Sequence, residues 1–176
     1  MKPTILAISG STRSQSANLQ LIRYIADLYK DQLKIEIYTQ IGELPHFNPD
    51  LDNENVPEII TTFRTKIEKA DGVIICTPEY VFSLPGSLKN AIEWTVSTIV
   101  FSDKPTALIT ASSSGEKAHE SLQLIMRTLG IKTNDETQLW LNSIKSKIDS
   151  AGNIKDTVVI EKINELMMNF IKLIKK

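Results

Sequence analysis

Nine residues near the N-terminus, Gly10-Ser11-Thr12-Arg13-Ser14-Gln15-Ser16-Ala17-Asn18, combine groups that bind an oxyanion without a metal. Ser11, Thr12, Ser14 and Ser16 offer hydroxyl donors, and Arg13 adds a permanent charge in a fork that matches phosphate oxygens. A helical pattern begins at Leu19, so the unpaired N–H groups and partial positive charge of a helix start belong to the same segment. An ordinary cap uses one hydroxyl rather than four. The surplus points to a phosphate. Gly10 permits a tight turn, but the segment lacks the three glycines of a dinucleotide fingerprint and the Gly-Lys-Ser/Thr ending of a P-loop.

Two further segments carry chemistry of another kind. "TPEYVFSLPGSLKN", Thr77 to Asn90, is stiffened by Pro78 and Pro85 and offers the flat ring of Tyr80. Backbone groups from Glu79 through Val81 to Phe82 are placed to meet the edge of a planar heterocycle. "TASSSGEK", Thr110 to Lys117, supplies Ser112, Ser114 and Gly115. A phosphate grip beside an aromatic, backbone-rich wall suits a flat ring with a phosphorylated tail, and a flavin mononucleotide has that form. Other chemistries find no footing. Cys76 has Phe82 six positions on, where a low-molecular-weight phosphatase needs arginine, and it lies in an apolar run as a core thiol. His46 and His119 stand alone, without metal-ligand spacing or a Ser–His–Asp set.

The elements that must position these segments alternate along the chain. Short apolar runs at Ile5 to Ser9, Ile35 to Tyr38, Gly72 to Thr77, Thr106 to Ala111 and Thr137 to Leu141 read as strands. Helical periodicity covers Ser16 to Asp31, Pro57 to Lys69, Gly86 to Ile99, Glu116 to Leu129 and Asp156 to Lys175. The first, third and fourth runs are almost wholly apolar, as parallel strands covered on both faces are. The pattern predicts an α/β protein, a flavodoxin-like three-layer sandwich with a five-stranded parallel sheet in order 2-1-3-4-5, as a single domain over 1–176. In that topology ligands sit outside the carboxyl ends of the strands, where the order reverses. All three polar segments leave strands at that edge. Gln40 to Val56 breaks the rhythm as a long aperiodic connection, a length that is usually functional or mobile.

Composition bounds the partners. The chain has 176 residues, 41% of them apolar, and a net charge of −1, with no basic footprint for nucleic acid. One cysteine excludes an intramolecular disulfide. The first apolar run is too short for a signal peptide and no run matches a membrane span, so a soluble, cytoplasmic protein is expected. In the third helical stretch Leu88, Ala91, Ile92, Thr95, Val96 and Ile99 form one stripe. Trp94 falls on another side and Phe101 follows, which predicts either a surface for a partner or burial of Trp94 under the chain's own loops.

At these residues the chain resembles the NADPH-dependent FMN reductase family, which includes flavodoxin-like quinone and azo-compound reductases. The signature Gly-Ser-x-Arg-x-x-Ser-x-Asn is complete at Gly10 to Asn18, and Thr77-Pro78-Glu79-Tyr80 is followed by Pro85 to Trp94 in the family's order. Leu44 to Leu51, "LPHFNPDL", also looks like the family's segment there. The resemblance implies bound FMN, with NADPH or NADH as co-substrate and a quinone, azo compound or free flavin as acceptor. It implies that Ser11, Arg13, Ser16 and Asn18, with Ala17 among them, hold the phosphate and ribityl chain. Pro78, Glu79 and Tyr80 would line the isoalloxazine, partly through main-chain groups, and the assembly would be a homodimer or homotetramer. There are two departures: Val81 stands where the family usually has asparagine, and a serine-rich 112–115 segment replaces a glycine-rich turn. A β-branched residue tolerates positive φ poorly, so either a differently shaped second loop or altered access to the flavin face is expected, with backbone contacts at Val81 still open to it. A flavodoxin-like electron carrier and a flavin-binding module without turnover are the competing readings; an acidic docking face, typical of a carrier, is missing from this balance.

Overall fold

Side chains of the central strands alternate between two apolar environments, and that alternation sets the architecture. Leu6, Ile8, Val73, Ile75 and Leu108 belong to one buried cluster; Ile5, Ala7, Ile74, Cys76, Ala107 and Ile109 belong to the other. A sheet apolar on both faces must be covered on both. The computed structural model describes residues 1–149 and 152–175. Its strands are β1 (Thr4–Ser9), β2 (Lys34–Tyr38), β3 (Gly72–Thr77), β4 (Thr106–Ser112) and β5 (Gln138–Asn142). They form one sheet in the order β2-β1-β3-β4-β5, every pair parallel, as expected.

The helices are α1 (Ala17–Leu28), α2 (Glu58–Lys69), α3 (Gly86–Glu93), α4 (Glu116–Thr128) and α5 (Thr157–Ile174). Helices α1 and α5 bury Leu21, Ile22, Ile25, Ile163, Met167 and Phe170 on one face of the sheet. Helices α2, α3 and α4 bury Ile60, Phe63, Ile67, Leu88, Leu122 and Met126 on the other. At about 25 cal/mol per Å² of apolar surface, this two-sided burial is the main favourable term of folding.

Helix α3 is shorter than the periodicity predicts. It ends at Glu93, and residues 94–97 continue as turns. Thr95, Val96, Thr98 and Ile99 are β-branched and favour helix weakly. The Thr95 hydroxyl donates to the Ile92 carbonyl at 2.7 Å, and that of Thr98 to the Thr95 carbonyl at 2.8 Å, which offers the backbone alternatives to the helical ladder. Of the two readings for Trp94, burial holds: it is fully buried and has no role on a surface. Its indole N–H donates to the Pro45 carbonyl at 2.7 Å, and Phe47 packs edge-on against its ring with centroids 5.1 Å apart. Phe101 is buried too, whereas Val96 and Ile99 stay exposed.

The aperiodic 40–56 segment is the cover over Trp94. It buries Ile41 and Leu44 and contains 3-10 turns at Ile41–Glu43 and Pro49–Leu51. The Asp52 carboxylate meets the Arg64 guanidinium at 2.7 Å and accepts a hydrogen bond from the Ser97 hydroxyl at 2.6 Å. It is an ordered structural loop.

Candidate functional site

Four loops leave the carboxyl edge of the sheet and enclose a cavity of about 790 Å³, within the usual range for a small-molecule site. Of the residues singled out in the sequence, Ser11, Arg13, Ser16, Ala17, Asn18, Pro78, Glu79, Tyr80 and Ser112 line it. Val81, Ser114 and Gly115 do not.

The first loop descends from β1 past Thr77 and turns into α1. A methyl group on Gly10 would lie 2.5 Å from the Thr77 hydroxyl oxygen, so glycine is needed here for close approach of two loops. Ser16 caps α1 by accepting from the Leu19 N–H at 3.1 Å, while its own carbonyl accepts from Gln20 N–H. The N–H groups of Ala17 and Asn18 have no acceptor among the described residues, as expected of a first helical turn. Asn18 is buried and ties three elements together. Its amide donates to the Ala111 carbonyl at 3.1 Å, and its Oδ1 accepts from the Cys76 thiol at 3.2 Å. Burial pushes the Cys76 thiol pKa well up, so that group stays an inert core thiol. The Arg13 side chain is exposed at the cavity, and no hydrogen bond or ion pair holds it among the described residues. A cation and helix-start N–H groups without partners among the described residues have the chemistry to hold an anion.

In the second loop Glu79 has a job that sequence reasoning did not assign. Its carboxylate accepts from the Ser114 hydroxyl at 2.7 Å and from the Ala118 N–H at 2.9 Å, clamping this loop to the start of α4. Those bonds, the Ser114 hydroxyl first, hold its carboxyl pKa below the ordinary value. Beyond it, Tyr80 and Ser83 exchange both backbone hydrogen bonds, at 3.0 and 3.1 Å, around Val81 and Phe82. Both central residues take positive φ, 51° and 56°. The β-branched Val81 therefore sits in a left-handed turn, at a cost in backbone strain.

The third loop is set by β5. The Trp140 indole N–H donates to the Ser114 carbonyl, and Gly115 has φ 92°, where an added Cβ would fall 2.9 Å from that indole nitrogen. Gly115 and Ser114 thus shape the loop, leaving Ser112 and Ser113 at the cavity. The fourth wall was missed: Ser143, Ile144, Lys145, Ser146, Ile148 and Asp149 follow β5 and close the side next to α1. The edge rule that selected the first three loops applies equally to β5, but the segment holds no motif to draw attention.

The sequence model of the family described as NADPH-dependent FMN reductase matches residues 3–145. An NADPH:quinone oxidoreductase of Arabidopsis thaliana is 34% identical, over 96% of this chain and 91% of its own length. An NADH-dependent flavin reductase subunit 2 of Lactobacillus johnsonii is 32% identical, over 98% of this chain and 97% of its own. Among solved structures, the flavoenzyme NAD(P)H:(acceptor) oxidoreductase of Paracoccus denitrificans superposes with a TM-score of 0.87 at 26% identity, covering 98% of this chain and 97% of its own.

Proposed function

The chain belongs to the NADPH-dependent FMN reductase family and is an NAD(P)H-dependent flavoprotein reductase, and from that premise we propose how its own residues do the work. The observation that carries the reading is the unpaired Arg13 facing one cavity with the start of α1 and the Tyr80 wall. Arg13, the Ser11 and Ser16 hydroxyls and the Ala17 and Asn18 N–H groups hold the FMN phosphate. Pro78, Tyr80 and the backbone of Glu79 form the wall for the ring, with Ser112 opposite. Bound FMN supplies two-electron chemistry, accepting hydride from a reduced nicotinamide and passing it on. The residues supply binding and orientation; no side chain in the cavity is needed as a general acid or base. Net, NAD(P)H, a proton and a quinone give NAD(P)⁺ and a hydroquinone. Azo compounds and free flavin are further acceptors of the same flat shape. The anaerobic FMN-loaded protein bleaches on addition of NADPH or NADH; persistent yellow colour with both overturns the reading.

One flavodoxin-like domain over 1–176 carries this activity, in the cytoplasm, where reduced nicotinamides are made. Assembly is a homodimer or homotetramer, supported by Val96 and Ile99, which lie exposed just beyond α3. Light scattering on the purified protein distinguishes a dimer from a monomer, and Ile99→Asp shifts a dimer toward monomer if this surface joins the copies.

A further inference from the structure

The rim of the cavity is unevenly built. Arg13, Gln15, Ser113, Lys145 and Ser146 give it polar and cationic groups. Apolar side chains line it at Ile144 and Ile148 after β5 and at the Tyr80 wall, and that wall runs along the chain into the turn that carries Val81 and Phe82. That turn is costly in two ways. Val81 is 96% exposed and Phe82 77% exposed, so their apolar surface faces water. Both also sit at positive φ, which side chains with a Cβ adopt rarely and a β-branched one least readily. The base of the turn is nonetheless fixed, by the Tyr80–Ser83 backbone pair on one side and the Glu79 clamp on α4 on the other. Strain held in place by a rigid base at the mouth of a site is the pattern of a ligand-contacting element.

We propose that Val81 and Phe82 form an apolar lip that selects among acceptors, favouring flat quinones with a hydrocarbon substituent over unsubstituted ones. This rests on the reductase reading above. A quinone carries polar carbonyl oxygens and, when alkylated, an apolar edge. The polar rim suits the first and the lip the second. Neither side chain lines the cavity; both stand beyond Tyr80, which does.

The test uses the FMN-loaded protein with NADPH and two acceptors, 1,4-benzoquinone and the same ring bearing an alkyl chain. Asparagine tolerates left-handed backbone, so Phe82→Asn and Val81→Asn keep the turn while removing the apolar face. Phe82→Asn raises KM for the alkylated quinone about tenfold, equivalent to about 1.4 kcal/mol, and shifts KM for the bare quinone less than twofold. Val81→Asn gives a smaller selectivity loss together with a Tm higher by about 2–4 °C, since the strain is relieved. Equal shifts for both quinones, or none, overturn the proposal. So does conversion of an oligomer to monomer by either variant, which would make the lip a subunit contact. A parent protein that neither bleaches with a reduced nicotinamide nor turns over either quinone refutes the reductase reading instead, and so is distinguishable.

Discussion

The segments after β2 and after β3 leave the same edge of the sheet, yet they use their residues in opposite ways. Between 40 and 56 the chain turns its groups inward. Pro45 accepts from Trp94 and Asn90, the Phe47 N–H donates to Asn90 Oδ1 at 2.7 Å, and Asp52 pairs with Arg64 in a bridge whose side chains are 7% and 15% exposed. Between 78 and 83 only the base is secured, and the tip presents Val81 and Phe82 to solvent in a left-handed turn. A loop whose inward polar groups are engaged contributes to stability and has little left for a ligand. A loop with a fixed base and an unsatisfied tip contributes strain and surface, and those are useful only when something docks.

Replacing Trp94 is the most severe way to break the comparison. Trp94→Ala removes a fully buried indole and the anchor of Pro45, lowering unfolding free energy by about 3–5 kcal/mol in urea titrations. FMN affinity of the folded fraction stays within twofold of the parent. Arg64→Ala leaves Asp52 buried without its cation and costs about 3 kcal/mol by the same measurement. Arg13→Ala reverses the pattern. Stability is unchanged, while the loss of a charge-assisted contact, about 1.5–3 kcal/mol, weakens FMN binding in a fluorescence titration. Riboflavin, which lacks the phosphate, binds both proteins equally.

The smallest effect falls on the clamp. The Glu79 carboxyl is depressed in the folded protein from its ordinary value of 4.5, so its contribution is full above that value. It is lost as pH falls below 4.5 through the depressed value. Glu79→Gln therefore gives an unfolding profile with a flatter acid limb than the parent, read by circular dichroism across that range. An unaltered acid limb would mean that Ser114 and the start of α4 hold the third loop without it.

The parts that read correctly from sequence share one property: their residues interact close along the chain or through strict periodicity. Apolar runs of five or six residues define β1, β3 and β4, and helical spacing defines α2 and α5 to within a residue or two. The first wall of the cavity is legible because Gly10 to Asn18 is contiguous. Trp94 stays ambiguous in the sequence because its position on a helical wheel says nothing of a loop 49 residues earlier that folds over it. The wall after β5 was missed for a related reason: Ser143 to Asp149 becomes part of the site only through neighbours from α1 and β3.

The sequence by itself determined the parallel sheet, the order of its elements and the hydroxyl-capped helix start in the first loop, because burial and helix-start chemistry act locally. Only the tertiary structure decided that Glu79 serves as a clamp, that Gly10 and Gly115 make room for Thr77 and Trp140, and that a valine occupies a left-handed turn. Those features depend on groups brought against one another from distant parts of the chain, or on a backbone angle that surrounding contacts impose against the residue's own preference.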